Sequence, residues 1–212
     1  MTIDQKFIDQ FLNVTTKAAL ASYNFVGKKD KIAADKAAVD SMRNELNKLD
    51  IKGQIVIGEG ELDEAPMLYI GEKVGTINGP EVDIAVDPLE GTNFAANNLP
   101  GALSVIAIAE KNNLFNAPET YMEKISARVK EKGVIDLDYS VKKNIYNLSE
   151  YLNKKPESIT ACVMDRPRHK DIINELAKIG VNIKLITDGD VSGALLVTED
   201  KYNVDIFLGI GG

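Results

Sequence analysis

The stretch from Val82 to Thr92, VDIAVDPLEGT, ends an apolar run in two acids, a proline, a glycine and a hydroxyl. A second apolar run, IVIGEGE, delivers Glu59 and Glu61 into a glycine-containing turn, and Asp35 lies in the Ala-rich segment IAADKAA. Taken singly, each acid reads as a solvated surface group. Taken together, Asp35, Glu59, Glu61, Asp87 and Glu90 stand at the margins of apolar segments rather than on a charged face. Carboxylate oxygens without thiols or imidazoles among them suit hard cations, Mg²⁺ or Mn²⁺. The single histidine, His169, and the single cysteine, Cys162, argue against a zinc site. Pro88 stiffens the turn after Asp87, Gly91 lets an anion approach the main chain, and a helix opening after Thr92 would add free amides. Two divalent ions beside such a corner polarise a phosphoryl oxygen and lower the pKa of a bound water. The chemistry indicated is metal-assisted attack on a phosphate ester.

Two further groups bear on binding. Arg166 and Arg168 in RPRH offer planar forks that match a phosphate, or alternatively are solvated charges ahead of a helix. Asp188, Gly189 and Asp190 in TDGDV read by themselves as an ordinary Asp-Gly turn. Lys124 and His169 fall outside both groups.

The elements that must position these residues follow from periodicity. Phe7, Phe11, Val14, Ala18, Ala21 and Phe25 recur at helical spacing, which predicts an amphipathic helix from Ile3 to about Phe25, broken by Gly27. Ala34 to Leu49 predicts a second helix, with Asp35 near its start. Gln54 to Ile57, VDIAVD and GALSVIAIAEK read as buried strands, and APETYMEKISARV reads as a loop entering a helix. From SITACVMD onward strand and helix alternate: RHKDIINELAKIG as helix closed by Gly180, NIKLITDGD as strand, VSGALLVTED as helix and VDIFLGIGG as strand. That alternation makes the fold class α/β. The style of the chain shifts at KKPES, Lys154 to Ser158, which divides it into a metal- and phosphate-binding part over 1–153 and the start of a second α/β part over 154–212.

Composition sets the outer bounds. With 212 residues, 44% hydrophobic and 27% charged, the chain can bury a substantial core. A net charge of −7 excludes a general nucleic-acid binder, although local cations and bound metal can still hold a small anion. One cysteine permits no internal disulfide, and its apolar setting in ITACVMD reads as a buried, inert thiol in a reducing compartment. No stretch has the length of a membrane span, and the N-terminus has charges where a secretion signal needs an apolar block. The expectation is a soluble cytoplasmic protein with no membrane or nucleic-acid partner.

These residues also carry a resemblance. VDIAVDPLEGTNF resembles the Asp-Pro-Ile/Leu-Asp/Glu-Gly-Thr signature of the metal-dependent, lithium-sensitive sugar-phosphatase superfamily. Together with IVIGEGELDEAPMLYIGEKVG, NAPETYMEK, RPRH and DGDV it narrows the match to class II fructose-1,6-bisphosphatase, along nearly the entire chain. The resemblance implies a layered α-β-α-β-α sandwich of the fructose-1,6-bisphosphatase/inositol monophosphatase type and self-association into homo-oligomers. It implies Asp35 and Glu59 as ligands of one Mn²⁺ or Mg²⁺ ion, Asp87 and Glu90 as ligands of a second, and Thr92 orienting the attacking water. Glu59, Asp87 and Thr92 form the implied catalytic set. Substrate contacts are implied for Glu90, Gly91, Thr92, Tyr121, Arg166, Pro167, Arg168, Asp188, Gly189, Asp190 and Gly212.

In one respect this sequence departs from the family. Family members continue past GIGG into an APEG segment whose Glu supplies another metal ligand, whereas this sequence stops at Gly212. The expectation is therefore an N-terminal portion, cleaved, truncated or completed by a second chain, with little activity alone. The implied reaction is hydrolysis of the 1-phosphate of fructose 1,6-bisphosphate to fructose 6-phosphate and phosphate, in gluconeogenesis. Sedoheptulose 1,7-bisphosphate or an inositol phosphate is an alternative substrate, and a fragment that binds metal or substrate without turnover is the alternative of a different class.

Overall fold

The computed structural model describes residues 5–58, 68–116 and 120–212. The chain divides into two compact units, Met1–Pro118 and Glu119–Gly212. Residues 120–153 thus belong with the second unit, upstream of the Lys154–Ser158 join. Each unit is a mixed sheet with helices, so the α/β reading holds.

In the first unit the predicted stripe does bury. Phe7, Phe11, Val14 and Ala18 of helix α1 (Gln5–Tyr23) enter one apolar cluster with Ala34, Ala38, Val39, Met42 and Leu46 of helix α2 (Lys31–Leu46). α2 starts earlier than the sequence predicts. Asp30 rather than Asp35 lies at its N-terminus, accepting a hydrogen bond from the Ala33 N–H at 2.9 Å. Asp35 thereby falls in the second turn, close to where α2 packs on the sheet.

That sheet contains β1 (Lys52–Ile57), β2 (Lys73–Val74), β3 (Glu81–Glu90) and β4 (Leu103–Glu110), in the order β2-β1-β3-β4. β1 and β3 run parallel; β2 and β4 are antiparallel to their neighbours. Val82, Ile84 and Val86 of β3 pack into the helical core, which by alternation sets Asp83, Ala85 and Asp87 on the opposite face. The strand does not stop at Asp87. It continues through Pro88 by a register shift between Asp87, opposite Val105, and Glu90, opposite Leu103. A proline has no amide to give the ladder, so an irregular stretch is where a strand can hold one.

The second unit contains β5 (Met122–Ala127), helix α4 (Val141–Tyr151), β6 (Thr160–Met164), helix α5 (Lys170–Ile179), β7 (Asn182–Ile186), helix α6 (Asp190–Leu195) and β8 (Ile206–Gly211). A five-residue helix α3 (Thr92–Ala96) precedes them in the first unit. The strand order is β5-β8-β6-β7, with β8, β6 and β7 parallel and β5 antiparallel at the edge. Alternate residues face opposite layers. Ala161, Val163, Ile206 and Leu208 join the cluster of α4 and α5, while Cys162 and Phe207 join Ala194, Leu196 and Val197 on the side of α6. Cys162 is fully buried, and burial pushes its thiol pKa up to about 11, so it is inert as expected.

The clearest error of the sequence reading is β5. The segment predicted to enter a helix is a strand whose Ile125 and Ala127 pack toward α4 and α5, and whose Lys124 and Ser126 face α6. Its partner, β8, lies far along the chain, with Met122 opposite Gly211.

Candidate active site

In the first unit the described acids of the set come from two abutting elements, Asp35 from α2 and Asp87 and Glu90 from β3. α2 packs on both β3 and α3. The segment leading into α2 is stitched to α3 by Gly27 N–H donating to the Ala95 carbonyl and Lys29 N–H to the Ala96 carbonyl, each at 2.9 Å. Glu90 is buried at the end of β3, 8% exposed, where a carboxylate must be compensated. Asp35 is half-buried, and its Oδ1 is fully buried with no hydrogen-bond partner among the described residues. Burial raises its pKa above the usual carboxylate value of 3.8. The Ser104 hydroxyl, next to the Leu103 that pairs with Glu90, is likewise buried without a partner among the described residues. Nothing in the sequence distinguished this serine from an ordinary strand residue.

Gly91 forms the corner. It takes a left-handed conformation, φ 77°, and a Cβ there would lie 2.8 Å from Phe94 Cδ2, so only glycine fits. Its carbonyl accepts from the Phe94 N–H at 2.8 Å and starts α3, which begins at Thr92 itself. With five residues, α3 offers local amides rather than an appreciable macrodipole. Glu59 and Glu61 lie outside the described residues. Among the described residues no group of three or more His, Cys, Asp or Glu side chains is placed to hold a metal ion. The donor set present still fits a hard cation: Asp35, Asp87 and Glu90 offer oxygen only, and Asp35 presents a desolvated oxygen that no described protein group satisfies.

In the second unit the candidate residues gather at one end of the sheet. β6, β7 and β8 run parallel, and their carboxyl ends lead into Arg166–Arg168, Asp188–Asp190 and Gly212. Because β5 is antiparallel, Tyr121 at its start lies at that same end. Arg168 donates from Nε to the Ile210 carbonyl at 2.7 Å, and its guanidinium lies 4.8 Å from the centre of the Tyr121 ring. Such stacking and bonding hold the fork in place. Gly212 sits against Tyr121: a Cβ there would be 3.6 Å from the ring. Arg166 Nη2 is 3.6 Å from Asp188 Oδ1. Pro167 opens the 3-10 turn Pro167–His169 that sets the two arginines apart.

Two residues left out by the sequence reading hold this end together. His169 is fully buried, with Nδ1 2.7 Å from the Met164 carbonyl and Nε2 accepting from the Ile210 N–H at 2.9 Å. A carbonyl can only accept, so Nδ1 donates to Met164, while Nε2 lies within reach of both the N–H and, at 3.1 Å, the carbonyl of Ile210. It pins the end of β6 to the end of β8. Lys124 pairs with Asp190 and donates to the Gly212 carbonyl at 2.7 Å. A strand reading of MEKISA would have placed it on the side of α6.

Residues 5–212 match the family described as bacterial fructose-1,6-bisphosphatase, glpX-encoded. The chain belongs to that family. It is 47% identical over 203 residues to fructose-1,6-bisphosphatase 1 class 2 of Escherichia coli strain K12, an alignment covering 96% of this chain and 60% of that protein. It is 47% identical over 209 residues to the D-fructose 1,6-bisphosphatase class 2/sedoheptulose 1,7-bisphosphatase of Synechococcus sp. strain CC9902, covering 99% of this chain and 63% of that one. The protein of the same description from Synechocystis sp. is 44% identical over 214 residues, with 95% of this chain and 62% of the relative aligned. The chain thus spans 60 to 63% of the length of these relatives. Family membership covers both clusters, from Asp35 to Gly212.

Proposed function

We propose that this chain carries a metal-dependent sugar-bisphosphate phosphatase site, hydrolysing the 1-phosphate of fructose 1,6-bisphosphate to fructose 6-phosphate and phosphate. The observation that carries the reading is the family match over residues 5–212, which includes the strand-end acids and the arginine-bearing sheet end alike. Sedoheptulose 1,7-bisphosphate is the second substrate, favoured by the names of the cyanobacterial relatives.

Asp35, Glu59, Asp87 and Glu90 would hold Mn²⁺ or Mg²⁺. Such ions, when bound, neutralise phosphoryl charge and make a bound water acidic. The chain's own residues do the rest. The Thr92 hydroxyl orients the water, and the left-handed turn at Gly91, where a Cβ would strike Phe94, sets Thr92 and the start of α3 beside the reacting phosphate. Arg166 and Arg168 take the phosphate that is not cleaved, with Arg168 pre-set by Ile210 and Tyr121 so that little rotamer freedom is lost on binding. Asp188, Gly189, Asp190, Tyr121 and the Gly212 main chain take the sugar. A reducing, cytoplasmic setting suits the one free, buried thiol, and no helix of the described residues is long and apolar enough to cross a membrane. Self-association into a homo-oligomer, and a second chain supplying further segments, belong to the same proposal.

The test is phosphate release from fructose 1,6-bisphosphate, sedoheptulose 1,7-bisphosphate and an inositol monophosphate, with Mn²⁺, with Mg²⁺ and with EDTA. It is run on the 212 residues alone and on a form extended to the relatives' length. Metal-dependent release from the sugar bisphosphates by the extended form, with little from the shorter one, is expected. Binding without release by either form supports the non-catalytic reading, and neither binding nor release would sink the proposal.

A further inference from the structure

Lys124 is a cation at the second unit's sheet end that lies outside the residues the sequence places in the site. It stands on β5 facing α6, on the side where Ser126 Oγ donates to the Ala194 carbonyl at 3.4 Å. Its ammonium is drawn to two acceptors at once: Asp190 Oδ2 and, at 2.7 Å, the carbonyl of Gly212. The pair is largely shielded, the side chains of Lys124 and Asp190 being 29% and 17% exposed. An ion pair so placed is more than a surface contact, because neither partner regains full hydration if the other is lost.

The main chain is built to admit it. A Cβ on Gly211 would lie 2.7 Å from Asp190 Oδ2 and 3.7 Å from Lys124 Nζ, so the carboxylate rests against bare backbone. Three elements meet here: β5 through Lys124, β8 through Gly211 and Gly212, and α6 through Asp190, its first residue. An acid at a helix start is otherwise free to turn back toward the helix's own amides. Lys124 instead engages Oδ2 and leaves Oδ1 to accept from something else.

We propose that Lys124 is a positioning residue for the sugar: by fixing and neutralising Asp190 through one oxygen, and by fixing the Gly212 carbonyl, it presents a rigid pair of acceptors to ligand hydroxyls. The proposal rests on the sugar-bisphosphate reading above. Neutralisation matters as much as geometry. A bare carboxylate repels a bisphosphate, whereas one compensated by an ammonium can accept a hydroxyl proton next to an anionic ligand. Lys124 acts through Asp190, and the cations that meet phosphate remain Arg166 and Arg168.

The experiment measures fructose 1,6-bisphosphate affinity by calorimetry in EDTA, KM and kcat with Mn²⁺, and competition by inorganic phosphate, on the full-length protein. The variants are Lys124→Met, Asp190→Asn and the two combined. Lys124→Met is expected to weaken the sugar bisphosphate about tenfold, the scale of one charge-assisted contact. The loss falls on KM and Kd more than on kcat, and inhibition by inorganic phosphate shifts less than about twofold. In the Asp190→Asn background the same substitution costs less than about threefold, because only its hold on the Gly212 carbonyl is left to lose. Should Lys124→Met fail to fold, Lys124→Gln carries the same expectation with a smaller loss. Equal weakening of sugar bisphosphate and inorganic phosphate, or losses that multiply in the double variant, would show a phosphate-binding cation and overturn the proposal. So would a variant that binds like the parent. A parent protein that binds no sugar bisphosphate overturns the functional reading first and this inference with it.

Discussion

Replacing Asp35 by asparagine should make the metal-free protein more stable while abolishing its response to metal. The reasoning starts from one atom. Asp35 Oδ1 is buried without a hydrogen-bond partner among the described residues, and burial has raised the carboxyl pKa from 3.8. A buried polar atom left unsatisfied costs about 1–3 kcal/mol. The side chain as a whole is only half-buried, which favours the lower end, about 1 kcal/mol. Asparagine keeps the shape, and with it a buried polar atom, but removes the charge, so for a chain of this size the melting temperature in EDTA should rise at neutral pH, by at most about 2–4 °C. The pH dependence fixes the sign. A folded-state pKa raised above the unfolded value means that the unfolded chain ionises first. Stability is then lost as pH climbs from 3.8 through the raised value, and the loss is complete above it. The advantage of the variant should therefore vanish in acid and be full at neutrality. Metal reverses the order. A cation bound by the native state alone stabilises by RT ln(1 + [L]/Kd), about 2.7 kcal/mol at a hundredfold excess over Kd. The parent should gain this with Mn²⁺, and Asp35→Asn should gain none of it. Differential scanning calorimetry at acid and neutral pH, with EDTA and with Mn²⁺, reads all four conditions. An asparagine variant less stable than the parent in EDTA at neutral pH, or one with an undiminished Mn²⁺ shift, would refute the assignment of Asp35 as a strained, metal-seeking acid.

Thr92→Ala in the full-length protein should lower kcat on the order of a hundredfold with a smaller change in KM, as expected for a group acting mainly in the transition state. Thr92→Ser should recover most of the turnover, and a serine variant as slow as alanine would assign Thr92 to packing instead. His169→Ala should cost about 2–4 kcal/mol in urea unfolding, because it opens a cavity and strips partners from the Met164 carbonyl and the Ile210 N–H. A loss below about 1 kcal/mol would mean that the ends of β6 and β8 are held by something other than this imidazole.

Legibility in the sequence followed the range of the interactions involved. Helix α1 was readable because Phe7, Phe11, Val14 and Ala18 recur on one face, and β6 and β8 because short apolar runs flanked by polar residues admit little else. β5 was not readable. In YMEKISARV the residues Met122, Ile125 and Val129 fit a helical period as well as Ile125, Ala127 and Val129 fit alternation, and pairing with distant β8 decided between them. The cost of that ambiguity fell on the site, because a Lys124 assigned to a helix has no defined relation to Asp190. α2 was placed correctly but started late, since Asp35 and Asp30 are both acids suited to a helix start and only Asp30 bonds to the Ala33 amide. His169 was legible as a residue but not as a bond: its role needs the ends of two strands that the sequence does not show to be neighbours.

What the chain repeats is a placement rule. In the first unit the parallel pair is β1 and β3, and the chain leaves β1 at Ile57, just before Glu59, and β3 at Glu90. In the second unit β6, β7 and β8 are parallel and release Arg166, Asp188 and Gly212 at their carboxyl ends. Parallel strands create this opportunity because each is followed by a connection that turns away over the sheet, opening a crevice at the carboxyl edge. The apolar run of such a strand supplies rigidity, and a residue at its end or just after it inherits that rigidity. This explains why Asp87, Glu90, Arg166 and Asp188 each sit at or just past a run that is otherwise apolar, and why reading where such runs end located candidates that reading individual charges would not. It explains as well why Lys124 escaped notice. It stands within an antiparallel strand rather than beyond a parallel one, and it enters the same edge from the opposite direction.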